Sequence, residues 1–163
     1  MTVTRILIAL IFTSLPCLAA PTEQSSVYND GCQITGHFRD VNQTSFHIHV
    51  EDALFSAPTA KDVKVWWGVA QGTPNRMTTL VDFRIGSVPV KIPYRAYADL
   101  GNPLIPNGIS LTKIQDKTIL SLRGGEGSAA YIARFVVSNG KLIRREVLQD
   151  GNPEAKPSIV TFD

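Results

Sequence analysis

From Cys32 onward, apolar and polar residues alternate in short runs with a period of two, and turn-forming residues separate the runs. That periodicity places alternate side chains on opposite faces of extended strands and leaves little room for helices. Strands are expected near 32–39, 45–51, 62–71, 78–86, 88–92, 108–114, 117–123, 129–138 and 141–148, with a last one at 158–162. The turns between them carry their own chemistry. Gly86-Ser87 suits a type II′ hairpin, and Ser138-Asn139-Gly140-Lys141 places Asn and Gly where a type I′ turn needs positive φ. Only Tyr94 to Leu100 reads as a short helix, between Pro93 and the stop Gly101-Asn102-Pro103.

Many short antiparallel strands with tight turns imply an all-β fold, either a β-sandwich or a small β-barrel of about 8–10 strands. Pro89 cannot donate to a ladder, so the strand near 88–92 belongs on an edge. Residues 20–31 are polar and without periodicity, which predicts a flexible leader before a single domain over 32–163.

The N-terminal residues point to export. Arg5 precedes the apolar run Ile6 to Leu15, which is too short to span a bilayer, and Cys17-Leu18-Ala19-Ala20 ends it in small residues. This is the order of a secretory signal peptide over 1–19, cut after Ala19, and it predicts a secreted or periplasmic protein. A lipid anchor on Cys17 is the rival reading, and Pro16 directly before it fits that signal poorly. Cleavage would remove one basic residue and no acidic one, taking the formal charge from +2 to +1. With Arg144-Arg145 the only adjacent basic pair, nothing argues for nucleic acid or an anionic membrane surface. No later apolar stretch is long enough for stable membrane insertion. Cys32 alone would remain, which excludes an internal disulfide and fits a buried thiol.

The histidines form the sharpest side-chain pattern. His37, His47 and His49 all fall in the first expected hairpin, at positions of one parity. A three-residue loop, Asn42-Gln43-Thr44, sets His37 opposite His49 and Arg39 opposite His47, with Glu51 on the same face. His-x-His on a strand can hold a divalent transition metal, although the ordinary account of such a face is solvation, and Arg39 would repel a cation. Asn42-Gln43-Thr44 is also an N-glycosylation sequon at the tip of this hairpin.

Other motifs carry less. Gly124-Gly125-Glu126-Gly127-Ser128 lacks the lysine and following helix of a phosphate loop, so it reads as a turn needing positive φ. No Gly-x-Ser-x-Gly elbow occurs, and hydrolytic chemistry finds no constellation. Parity along 62–71 sends Trp67 into the core with Val63, Val65 and Val69, and leaves Trp66 on the other face. There, with Tyr94 and Tyr97, it could anchor a protein or glycan. The leading functional expectation is therefore an exported, non-catalytic binding or structural module with no cofactor. One alternative is a metal-binding protein or metalloenzyme using the three histidines. The other is a lipocalin-like barrel whose apolar-ligand cavity would be lined by side chains such as Trp67, Phe83, Ile92, Leu122 and Phe135.

Overall fold

The computed structural model describes residues 22–28, 30–58, 60, 62–152 and 154–163. The signal-peptide reading of residues 1–19 lies outside them. Among the described residues ten strands form two antiparallel five-stranded sheets, each a simple meander, in the arrangement of a β-sandwich. The first sheet runs β1 (Thr22–Tyr28), β2 (Gly31–His37), β3 (Ser45–Leu54), β4 (Arg76–Ile85) and β5 (Val88–Val90). The second runs β6 (Ile109–Ile114), β7 (Lys117–Gly124), β8 (Tyr131–Ser138), β9 (Lys141–Gln149) and β10 (Ser158–Thr161).

Alternation selects the inner faces. On β3, Phe46, Ile48 and Val50 are buried while His47, His49 and Glu51 turn the other way. On β7, Thr118, Leu120 and Leu122 are buried between exposed or half-buried neighbours. Except for Thr118, these buried side chains join Ile34, Phe83, Val90, Tyr131, Phe135 and Val147 in one apolar cluster contributed by both sheets. This packing corrects the barrel-cavity reading. Phe83 and Phe135 have no accessible surface and Leu122 only 1%, so no water-sized void touches them; a ligand chamber would leave its lining accessible. Trp67 is half-buried against the same cluster and Ile92 lies within it.

The hairpin turns follow their residues. Asn139 (φ 50°) and Gly140 (φ 74°) join Ser138 to Lys141, and Gly86 (φ 59°) joins Ile85 to Val88. Gly125 and Gly127 also take positive φ. β5, with Pro89, is an edge strand.

Two expectations are corrected. Within the supposed flexible leader, Thr22–Tyr28 pairs along β2 from Thr22↔His37 to Tyr28↔Gly31. Backbone pairing needs no apolar alternation, so the polar sequence concealed it. Residues 62–71 form no strand and make only an isolated bridge, Trp67↔Leu100. The short helix expected near 94–100 is present as a single 3-10 turn, Tyr94–Ala96, continued by Leu100 N–H donating to the Tyr97 carbonyl.

The segment between the sheets carries the polar part of the core. Arg145 projects inward from β9, is 4% exposed, and approaches Asp99 at 2.8 Å. The pair is close enough for an ion pair but off hydrogen-bond alignment. Its value lies mainly in leaving neither charge alone, because an unpaired buried guanidinium would cost several kcal/mol. Tyr131 lies close by, fully buried, and its hydroxyl has no hydrogen-bond partner among the described residues. A Cβ on Gly124 would come within 2.5 Å of that hydroxyl, so only glycine admits the ring there.

Burial holds the Tyr131 hydroxyl far above the ordinary tyrosine value of 10; Asp99 adds to the rise and Arg145 opposes it. The unfolded chain ionises this group near that ordinary value while the folded protein keeps it neutral. Its contribution is therefore complete below pH 10 and is lost as pH rises beyond it. Tyr131→Phe deletes an unpaired buried hydroxyl. Urea unfolding at neutral pH should show stability unchanged or raised by about 1 kcal/mol. Above pH 10 the variant should lose less stability than the parent, with Tyr94 and Tyr97, also raised by burial, supplying the remaining loss.

Candidate functional site

β3 and β4 are antiparallel neighbours, paired as far as Leu54↔Arg76, yet residues 55–75 lie between them. Two such strands need only a short turn, and a connection beyond about 12–15 residues without regular structure is commonly functional. The neck of this loop is closed, since Phe55 N–H donates to the Asn75 carbonyl at 2.9 Å. Its far part is pinned to the segment between the sheets. Trp67 N–H donates to Asp99 O and Gly101 N–H to Trp67 O, both at 2.9 Å.

Asn102 completes the attachment. Its Oδ1 accepts the N–H groups of Asn75 and Arg76 at 3.0 and 3.1 Å, and its Nδ2 donates to Gly68 O at 3.2 Å. Its own N–H donates to Arg76 O, and its carbonyl accepts Gly125 N–H. The residue sits at φ 47°, in the left-handed region that Asn tolerates better than most side chains. One residue thus ties β4, the 55–75 loop and the loop after β7. Beside it Arg76 holds the buried Asp52 carboxylate, which the regular alternation of β3 turns to the same side as Phe46, Ile48 and Val50.

The loop presents a mixed apolar crest. Val65 is 76% exposed, and half-buried Trp66 meets Phe55 edge-on with ring centroids 5.8 Å apart. The expectation that Val65 joins the core is therefore corrected. With no neighbouring strand to hold 62–71 flat, strand parity does not govern its side chains. A groove of about 410 Å³ runs on one side, between residues 65–70 and residues 128–130 with Gln149. Among the described residues no charged one lines it, and Gln149 Nε2 donates to Ser128 O across its wall at 2.7 Å. A second groove of about 350 Å³ lies between residues 62–65 and Tyr94, Arg95, Ala98 and Asp99. Here Arg95 lies 5.1 Å from the Phe162 ring centre, and burial with the nearby Asp62 raises the Tyr94 hydroxyl. Val65 lines both grooves.

Of the aromatic residues expected at a partner surface, Trp66 and Tyr94 each line a groove, and Tyr94 is 42% exposed. Tyr97 does not. It is 6% exposed and packs in the core, with Tyr94 edge-on at 5.5 Å. It is the C-cap residue of the 3-10 turn, and its ring belongs to the apolar cluster rather than to the partner surface expected of it.

The histidines keep their common face but not their register. His37 pairs with Ser45, Thr35 with His47 and Gln33 with His49, so His37 does not face His49. Arg39 lies beyond the end of β2, in the loop, and the residue across β4 from His47 is Arg84. The longer loop has a local cause. Asp40 accepts Thr44 N–H and Thr44 Oγ1 at 2.9 and 3.0 Å, and Lys113 Nζ reaches it at 2.6 Å. These contacts, Lys113 first, hold the Asp40 carboxyl down to about 2. His49 Nε2 lies 3.0 Å from Glu51 Oε1. Among the described residues no group of three or more His, Cys, Asp or Glu side chains is placed to hold a metal ion. Cys32 is fully buried, and burial and nearby Asp52 raise its thiol. Asn42 is exposed at the hairpin tip.

No protein-family model matches the chain, and no curated protein or solved structure is significantly similar to it. Asn102, Asp99 and Arg145 were missed as site-building residues. The parity of Arg144-Arg145 on a strand was the available clue to Arg145, because one of two adjacent side chains must face inward.

Asn102→Ala removes three side-chain hydrogen bonds and forces a Cβ-bearing residue without them to keep a positive φ. We expect a loss of about 2–3 kcal/mol in urea unfolding and faster proteolysis within 62–70. Asn102→Gly should lose less, since it restores backbone freedom but not the bonds.

Proposed function

We propose that this protein is an exported, non-catalytic binding module that engages a partner protein or glycan through its 62–70 loop. The observation that carries the reading is Val65, 76% exposed on a long pinned loop and shared by two grooves. Trp66 and Tyr94 flank it. Apolar and aromatic side chains on a scaffolded loop give contact area at low entropic cost, because the loop is already ordered by its ties to Asp99, Gly101 and Asn102. The signal-peptide pattern of residues 1–19 supports delivery to a secreted or periplasmic location. No helix among the described residues is long and apolar enough to cross a membrane.

Photo-crosslinking tests the reading. A benzophenone side chain placed at Val65 should capture discrete partners in the protein's own extracytoplasmic fraction, or a glycan in a defined array. The same probe at Thr35, exposed on the outer face of the first sheet, should not. Trp66→Ala should abolish capture at position 65 while leaving thermal unfolding within a few degrees of the parent. Equal labelling at positions 65 and 35 would remove the proposal.

A further inference from the structure

We propose that two copies of this protein pair antiparallel along β10, joining their second sheets across a two-fold axis at Val160. β10 is the edge of its sheet, and all four of its residues are exposed, with Ile159 at 53% and Val160 at 40%. It contains no charge and no proline. By contrast β5, an edge of the first sheet, carries Pro89, and β6, at the opposite edge of the second sheet, carries Lys113. An uncharged, aliphatic edge without such protection is a template for another strand.

The existing ladder decides which backbone groups are open. Phe162 N–H donates to the Ile143 carbonyl at 3.1 Å, and the same register pairs Val160 with Arg145 and Ser158 with Val147. Hydrogen-bonded pairs alternate along an antiparallel ladder. Ser158, Val160 and Phe162 therefore turn their backbone groups toward β9, while Ile159 and Thr161 turn theirs to the open edge. An added antiparallel strand must set outward residues against outward residues. Ile159 then lies opposite Thr161 of the second copy, with both N–H···O bonds exchanged in each of the two equivalent pairs. Val160 falls on the axis and meets its own counterpart side chain. Moving the register by two residues the other way sets Pro157, which has no N–H, opposite Thr161 and forfeits a donor in each pair.

The flanking charges favour the same arrangement. Lys156 precedes β10 and Asp163 follows it, both exposed. Antiparallel pairing brings Asp163 of one copy opposite Pro157 of the other, beside its Lys156; parallel pairing would set like charge beside like. The occupant is a second copy because the edge is self-complementary in both hydrogen bonds and charge, as an isologous two-fold interface requires.

Sedimentation equilibrium of the purified protein should show a concentration-dependent dimer. Thr161→Pro removes an outward N–H and no bond to β9, so it should weaken the dimer about tenfold or more while leaving unfolding cooperative. In an oxidising buffer Val160→Cys should cross-link into dimers, since residues on the axis approach to about 4.5 Å between Cα atoms, within reach of a disulfide. Ile159→Cys should cross-link far more slowly, because Thr161 of the second copy stands opposite it. A chain that is monomeric at every concentration would overturn the proposal. So would a Thr161→Pro dimer as tight as the parent's, or Val160→Cys linking no faster than Ile159→Cys.

Discussion

The hydrogen bonds around Asn102 hold together parts of the chain that no strand pairing connects. The two sheets share no ladder, so the position of one against the other depends on the apolar cluster and on residues 97–104, which cross between them. Apolar packing alone is weakly directional. Asn102 adds direction with an amide that accepts from the start of β4 and donates to Gly68, while its backbone spans Arg76 and Gly125. Nearby, Thr78 adds to the same attachment by donating both its N–H and its hydroxyl to Leu100 O at 3.0 Å. The exposed loop can therefore be long without being loose.

That attachment lies over the most polar part of the core. Gly124 approaches the Tyr131 ring more closely than a Cβ would allow, and a Cβ on Gly68 would collide with the Gly101 carbonyl oxygen. Both glycines thus let the loop and the end of β7 settle beside that ring. Asp99 faces two ways. Its carbonyl receives Trp67 N–H, and its carboxylate approaches Arg145 while also lining a groove. A buried charge pair contributes little net stability compared with apolar packing, but breaking it is costly. Here the pair sets where the segment between the sheets can lie, and so where the 62–70 loop can be tied down.

Much of the fold was legible from parity and turns. The alternation in 45–51 named its inner face correctly, and the runs at 117–123 and 129–138 marked strands, because each of those segments lies between two neighbouring strands. The failures share a cause. Thr22–Tyr28 has a strand's hydrogen bonds without its apolar signature, and 62–71 has the signature without a partner to pair with. The hairpin register failed for a different reason. Apolar parity permits any shift by two residues, and the side-chain bonds of Asp40 to Thr44 and Lys113 selected the longer loop. His37 consequently moved off His49. Trp66 and Tyr94 survive as surface candidates, while Tyr97 was claimed by the core.

By itself the sequence determined that this chain is all-β, where most strands run, the turns at Gly86 and at Asn139-Gly140, and the inner face of β3. Those are local properties: a period of two and the φ preferences of Gly, Asn and Pro act over a few residues. Only the tertiary structure decided that the strands divide into two separate meanders, that Arg145 finds Asp99, and that Val65 stands out from the surface between two grooves. Each depends on contacts between residues far apart in the chain. Hydrophobic parity says which face is buried but not what it is buried against.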